Sequence, residues 1–285
     1  MRVTTLPAVS VALIVVAFAV FVAALTSGTL ASAQTEDVTY TIKIENLTSG
    51  QPFTPPLIAA HTSDTGLFTV GEAASEGVKE IAENGNLETL AAAVAADSAV
   101  IAASTGDAAV LPGETATLTI DAPSGSYLSW VSMLICTNDG FVGIDSLALQ
   151  ATGSQTVDKD AYDAGTETNT EDFADIVPPC QDLIGVSSDD DGTGASNPDL
   201  AEGGVIGAHA GIQGSDDLTV ADHGWTDPVA RVTITAEEAP AAVPSTGGAP
   251  TSGSTPSWML LAALGGATLI VLSLSTFAIA RRTHR

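Results

Sequence analysis

The chain has 285 residues, with 34 Asp and Glu against 8 Lys and Arg, and a formal net charge of −26. All the acids lie between Gln34 and Ser257, where Lys43, Lys79, Lys159 and Arg231 are the only bases, so this stretch carries about −30. Such a charge argues against nucleic acid and anionic lipid as its partners, and is compatible with cation binding or with solubility at high salt. About 200 residues of this composition can bury one sizeable core, which predicts one domain.

The first 33 residues open with Arg2, continue through an uncharged apolar run from Val9 to Leu25, and close on Ala31-Ser32-Ala33. This is the pattern of a secretory signal peptide, with cleavage expected between Ala33 and Gln34; an uncleaved N-terminal anchor is the alternative. The expected domain spans 34–235.

From Val38 the side chains alternate. Val38, Tyr40, Ile42 and Ile44 share one face and Thr39, Thr41, Lys43 and Glu45 the other, which predicts a half-buried strand. Asn46 to Pro56 is loop chemistry, and its Asn46-Leu47-Thr48 sequon is read as turn composition. The period then lengthens: Ala74, Val78, Ile81 and Ala82 predict a helix stopped at Asn84-Gly85, and Leu87 to Ala96 a second short one. Strands are predicted at Thr115 to Asp121, at Tyr127 to Cys136 (apolar on nearly both faces, hence central) and at Val229 to Thr235. The fold class is mostly β, a sandwich with one or two short helices.

Ala236 to Ser257 is rich in Ala, Pro, Gly, Ser and Thr and is expected to be a flexible linker. Trp258 to Ala280 is uncharged and, at about 1.5 Å per residue, spans roughly 34 Å, enough for a bilayer core of about 30 Å. The basic tail Arg281 to Arg285 would remain in the cytoplasm, placing the acidic domain outside. Val243-Pro244-Ser245-Thr246-Gly247 also resembles a degenerate sortase signal, with cleavage between Thr246 and Gly247. Wall anchoring and simple spacer composition both stand as readings of it.

Two cysteines, Cys136 and Cys180, make no zinc motif. A disulfide between them is the expectation for an exported domain, and two free buried thiols the alternative.

Several phrases fall in order along the acidic region: Tyr40 to Thr48 leading into Gly50-Gln51-Pro52-Phe53-Thr54-Pro55, then His61, Leu67-Phe68, Gly71 and Ile81 to Gly85. They continue with Leu111-Pro112-Gly113, Met133-Leu134-Ile135, Thr137 to Asp145, Tyr162 to Glu167 and Pro228 to Ile234. Together, over about Val38 to Thr235, the region resembles the spondin N-terminal domain of F-spondin or mindin type, in its bacterial form. That resemblance implies a C2-like antiparallel β-sandwich with one bound Ca²⁺. It also implies a binding role, since the animal relatives are matrix proteins that engage cell-surface receptors, integrins among them. It places the calcium ligands on Asp139, Asp163 and Glu167. At the last position the family pattern has aspartate, so Glu167 reaches one methylene further.

The residues themselves agree less specifically. Calcium takes six to eight oxygens, and Asp163 and Glu167 flank Gly165, which lets a loop curl around one point. Asn138-Asp139-Gly140 also has the composition of an ordinary tight turn. Asp189-Asp190-Asp191-Gly192 is read as a solvated acidic loop, because the twelfth position of an EF-hand beginning at Ser187 would be Pro198.

His61, His209, His223 and His284 form no H-E-x-x-H, and no G-x-S-x-G or phosphate-binding loop occurs, so no enzyme is predicted. The expected function is a calcium-binding cell-surface module that mediates adhesion or binds an extracellular protein or glycan. A structural envelope component in which calcium holds the fold is the alternative, and an uncharacterised hydrolase a distant third.

Overall fold

The structure is a computed structural model that describes residues 37–237. The expected signal peptide, membrane helix and sortase motif lie outside the described residues, as does nearly all of the expected linker. Among the described residues no helix is long and apolar enough to cross a membrane.

Two antiparallel sheets face each other. The four-stranded sheet has the order β4-β1-β10-β7, formed by β1 (Asp37–Asn46), β4 (Thr115–Pro123), β7 (Gly153–Lys159) and β10 (Ala230–Ala236). The six-stranded sheet has the order β3-β2-β5-β6-β8-β9. Its strands are β2 (Leu57–His61), β3 (Val100–Thr105), β5 (Tyr127–Met133), β6 (Gly140–Ala148), β8 (Tyr162–Asp163) and β9 (Gly207–Ala208).

The alternation in β1 sets its register. Ile42 pairs with Ile234 of β10 and Leu118 of β4, so one row of three strands turns Tyr40, Ile42, Ile44, Leu118, Ile120, Val232 and Ile234 inward. Facing them from the larger sheet are Ile58, Ala60, Leu128, Trp130, Val142 and Ile144. A slip by one residue would expose the whole row, which is why a strand with one apolar face is strongly registered. β10 runs to Ala236, one residue past the expected end of the domain, and Ala236 pairs with Tyr40.

The larger sheet is buried on both faces. Its second face presents Leu57, Ala59, Val131, Met133 and Phe141 to a separate apolar cluster. Helices α1 (Glu76–Asn84) and α2 (Glu88–Ala96) cover part of it with Val78, Ile81, Ala82, Leu90 and Val94. The long segment after β8 covers the rest with Phe173, Ile176, Val177, Ile206, Ile212 and Leu218. This explains the nearly continuous apolar run of β5, which alternation alone would not produce. α1 begins at Ser75, whose side chain accepts from the Val78 N–H, and ends at Gly85 with φ 64°. Two further short helices are α3 (Pro179–Ile184) and α4 (Val220–His223).

The Asn46 sequon is structural. Asn46 is fully buried, its Nδ2 donates to the carbonyls of Gln51 and Val110, and its Oδ1 accepts from the Thr48 N–H and hydroxyl. Likewise His61 is a satisfied core residue, with Nδ1 on the Thr62 carbonyl and Nε2 on the Ser129 hydroxyl.

Cys136, in the β5–β6 turn, is joined by a disulfide to Cys180 of α3, across a sequence separation of 44. Both are fully buried, so the bridge ties the covering segment to the second face of the larger sheet. Closing a loop of this length stabilises a fold by up to about 4 kcal/mol in the chain-entropy model. The double substitution Cys136→Ser, Cys180→Ser is expected to lower the unfolding free energy by up to that amount in urea titrations. Coincident curves for the double variant and the native protein would show that the bridge does not brace the fold.

Candidate metal centre

The site is built where the β5–β6 turn meets the loop after β8. The turn is held locally: Thr137 Oγ1 donates to the Leu134 carbonyl at 2.6 Å and accepts from the Gly140 N–H at 2.9 Å. Asn138-Asp139-Gly140 therefore is the tight turn its composition suggests. It is also more than that, because Asn138 and Asp139 are both buried and both face the loop.

Asp139 Oδ2 accepts from the Thr166 N–H at 2.8 Å, the Glu167 N–H at 3.0 Å and the Thr166 hydroxyl at 3.3 Å. Asn138 Nδ2 donates to the Thr170 hydroxyl, and Asn138 Oδ1 accepts from the Glu171 N–H. The two side chains thereby fix the path of residues 166–171. Gly165 bends that path: its φ is 66°, and a Cβ there would lie 2.6 Å from the Val205 carbonyl oxygen.

The three acids expected from the sequence occupy this one region but differ in surroundings. Asp139 is fully buried, and its second oxygen, Oδ1, has no hydrogen-bond partner. Asp163 is half-buried; its Oδ1 accepts from the Gly165 N–H and its Oδ2 from Asn169 Nδ2. Glu167 is buried and turns its Oε1 to the Asn197 N–H at 3.1 Å, under the loop that follows α3. Burial, and next the charge of Asp163, push the Asp139 carboxyl up to about 6. Burial raises Glu167 to about 7, aided by the charges of Glu83, Asp139 and Asp175.

A buried carboxylate oxygen without a donor is costly, and a second carboxylate beside it makes it more so. A hard cation with its preference for carboxylate oxygens removes both penalties. The residues at Asp139 and Asp163 thus fit a calcium ion. Glu167 adjoins Asp139 but leans away, toward Asn197 and Glu83.

The structure also assembles acids that the sequence did not. Asp190 is not an isolated loop residue: one carboxylate oxygen each from Asp172, Asp190 and Asp217 lie within 4.8 Å of one another, close enough to hold a metal ion. Asp189, Asp190 and Asp191 are all exposed, as expected of a solvated loop, and the chain after α3 folds back so that Asp190 meets Asp172 and Asp217. Glu171 went unrecognised among the many acids. It is buried, has φ 63°, and gathers the N–H groups of Gln213 and Ser215 and the Ser215 hydroxyl, which hold its carboxyl below the usual range despite burial. Its role is to anchor the 211–218 loop. His209 lies against Trp225, with ring centroids 5.0 Å apart, and its Nδ1 accepts from the Gly211 N–H. Its proton is therefore on Nε2, which is a donor and no metal ligand.

The two antiparallel sheets, with a buried acidic loop beside one sheet end, define a mostly β, sandwich-like fold. Residues 43–175 match the Spondin_N family model. The match includes Asp139, Asp163 and Glu167 and stops before Cys180, so it is narrower than the Val38 to Thr235 span expected from sequence. Spondin_N domains are a non-catalytic family, typically of extracellular binding modules, and the disulfide agrees with an extracellular location. No curated protein matches the chain.

The two raised carboxyls predict an unusual pH response. Both groups bind protons more tightly folded than unfolded, so without a cation stability falls as pH rises from about 4.5 to 7. The melting temperature in chelator should be lower at pH 7.5 than at pH 5.5, and calcium should flatten or reverse that slope. A chelated protein that melts higher at pH 7.5 would contradict the burial of these carboxylates in an ionised state.

Proposed function

We propose that the protein is an exported, membrane-anchored, calcium-binding spondin-type module that binds an extracellular protein or glycan at the cell surface. The observation that carries the metal is Asp139 Oδ1, a buried carboxylate oxygen without a donor beside a second carboxylate. Asp139 and Asp163 would hold the ion, with Glu167 the third acid. Calcium suits a site of carboxylates on loops better than magnesium, which demands octahedral geometry and gives up water reluctantly. The exposed group Asp172, Asp190 and Asp217 offers a further, solvent-facing place for a cation.

The binding role rests on the family, and the ligand's identity does not transfer with a fold. A C2-like sandwich with its loops at one end suits display on a stalk. The Pro-, Ser-, Thr- and Gly-rich sequence before Trp258 would supply that stalk, and Trp258 to Ala280 the membrane anchor.

Calcium should raise the melting temperature in a concentration-dependent way, the stabilisation reaching about 2.7 kcal/mol at one hundred times the dissociation constant. Asp163→Asn should remove most of that shift, whereas Asp107→Asn, at an exposed acid of the β3–β4 loop, should leave it. A melting temperature indifferent to calcium and chelator would remove the metal from the function. Protease added to intact cells should release the domain by cutting between Ala236 and Ser257, leaving residues 37–235 whole. A domain protected until the cells are lysed would overturn the topology.

A further inference from the structure

Each sheet ends in two edge strands whose outward N–H and C=O groups have no neighbouring strand, and proteins blunt such edges to keep other chains from adding to them. Three of the four edges here are blunted. β9 is two residues long. β3 carries a register shift opposite Ala60 and His61, which leaves Ile101 without a partner between Val100 and Ala102. β7 ends in Asp158 and Lys159, and Asp158 is held to Arg231 by two hydrogen bonds of 2.8 and 3.0 Å. β4 has none of these devices. Its residues 115–120 carry no charge, no proline and no register shift, and among the described residues they pair with β1 on one side and with no strand on the other.

That free side borders a groove of about 520 Å³ between β4 and the segment 104–110. Ser104, Ala108 and Ala109 line one wall, and Ala116, Thr117 and Thr119 the other, so small side chains leave room for an incoming backbone. The charged side chains in the groove are Asp107 and Glu114. Where it continues past Thr119 they are Asp121 and Glu237. Lys43, Lys79, Lys159 and Arg231 all lie outside it. Acids at both ends of an uncharged edge select positive charge at both ends of whatever pairs there. A second copy of the domain would bring about −30 of charge onto these acids, which disfavours self-pairing.

We propose that the free edge of β4 receives an extended segment of a partner protein as a fifth strand of the smaller sheet. The segment carries Lys or Arg at its ends and small or β-branched residues between them. Main-chain hydrogen bonds to β4 supply the affinity, and the acids of the groove supply the selection by charge. The inference rests on the binding role proposed above and gives that role a surface; it needs neither the calcium ion nor the membrane anchor.

The test uses the full-length protein in detergent and the probe peptide Lys-Thr-Val-Thr-Val-Thr-Lys, with fluorescence anisotropy for affinity and amide hydrogen exchange for place. Saturable binding that slows exchange within 115–121, and not within 153–159, is expected. Methylating one alternate set of the peptide's backbone nitrogens should abolish binding, and methylating the other should spare it, since successive N–H groups of a strand point to opposite sides. Asp107→Asn combined with Glu114→Gln, both at exposed positions, should weaken binding about fivefold. A peptide that binds without slowing 115–121, or that tolerates both methylations, is held by charge alone; this overturns the edge and leaves the binding role standing. Slow exchange at every N–H of 115–121 before peptide is added also overturns it. If that protection grows with protein concentration the edge belongs to a second copy, and if it does not, to the chain's own residues. No binding at millimolar peptide overturns the edge as well. Saturable binding to a glycan array run in parallel would then keep the binding role, and a blank array would remove it too.

Discussion

The burial of Asp139 is the constraint on which the rest of the site depends. A carboxylate in the turn after a central strand is placed under the 163–171 loop, whose outer side bonds through its backbone to residues 200–204. Its Oδ2 captures the N–H groups of Thr166 and Glu167, and this fixes where the 163–171 loop crosses the sheet end. The same placement leaves Oδ1 buried and unpartnered. One oxygen builds the loop and the other creates the demand for a cation, so the fold and the proposed metal function share one side chain. Removing the charge would relieve the demand but weaken the loop, because a neutral amide accepts these hydrogen bonds less strongly than a carboxylate.

That constraint is affordable because the sheet beneath it is rigid. The six-stranded sheet is covered on one side by the four-stranded sheet and on the other by α1, α2 and the segment after β8. The covering segment contains little regular structure. It is held by apolar anchors such as Phe173 and Ile206, by the Cys136–Cys180 bridge, and by Glu171, which organises the 211–218 loop from beneath. Polar side chains thus replace a hydrogen-bonded ladder where the backbone is irregular and buried, as buried N–H groups require. Their acids are also what makes the region so negative.

Much of the framework was legible in the sequence, for a physical reason. β1, β4 and β10 each bury one face, so period-two alternation marks them, and α1 carries both its cap residues, Ser75 and Gly85. β2 and β3 escaped notice because LIAAH is buried throughout and VIAAST is small and short, so neither shows a clean alternation. β7 is a polar edge strand with few apolar residues to mark it. At the site, Asp139, Asp163 and Glu167 came from family phrases rather than from chemistry visible in composition. Glu171 had no such phrase to distinguish it from the other acids. The nearness of Asp190 to Asp172 and Asp217 depends on how an irregular chain folds back, and no periodicity encodes that.

The most direct measurement of the account is an anomalous-scattering map of crystals of the protein grown with calcium. A cation peak 2.3–2.6 Å from Asp139 Oδ1 and shared with Asp163 is the predicted result. Oδ1 found instead hydrogen-bonded to water or to a protein donor, with no cation beside it at saturating calcium, would contradict the central claim.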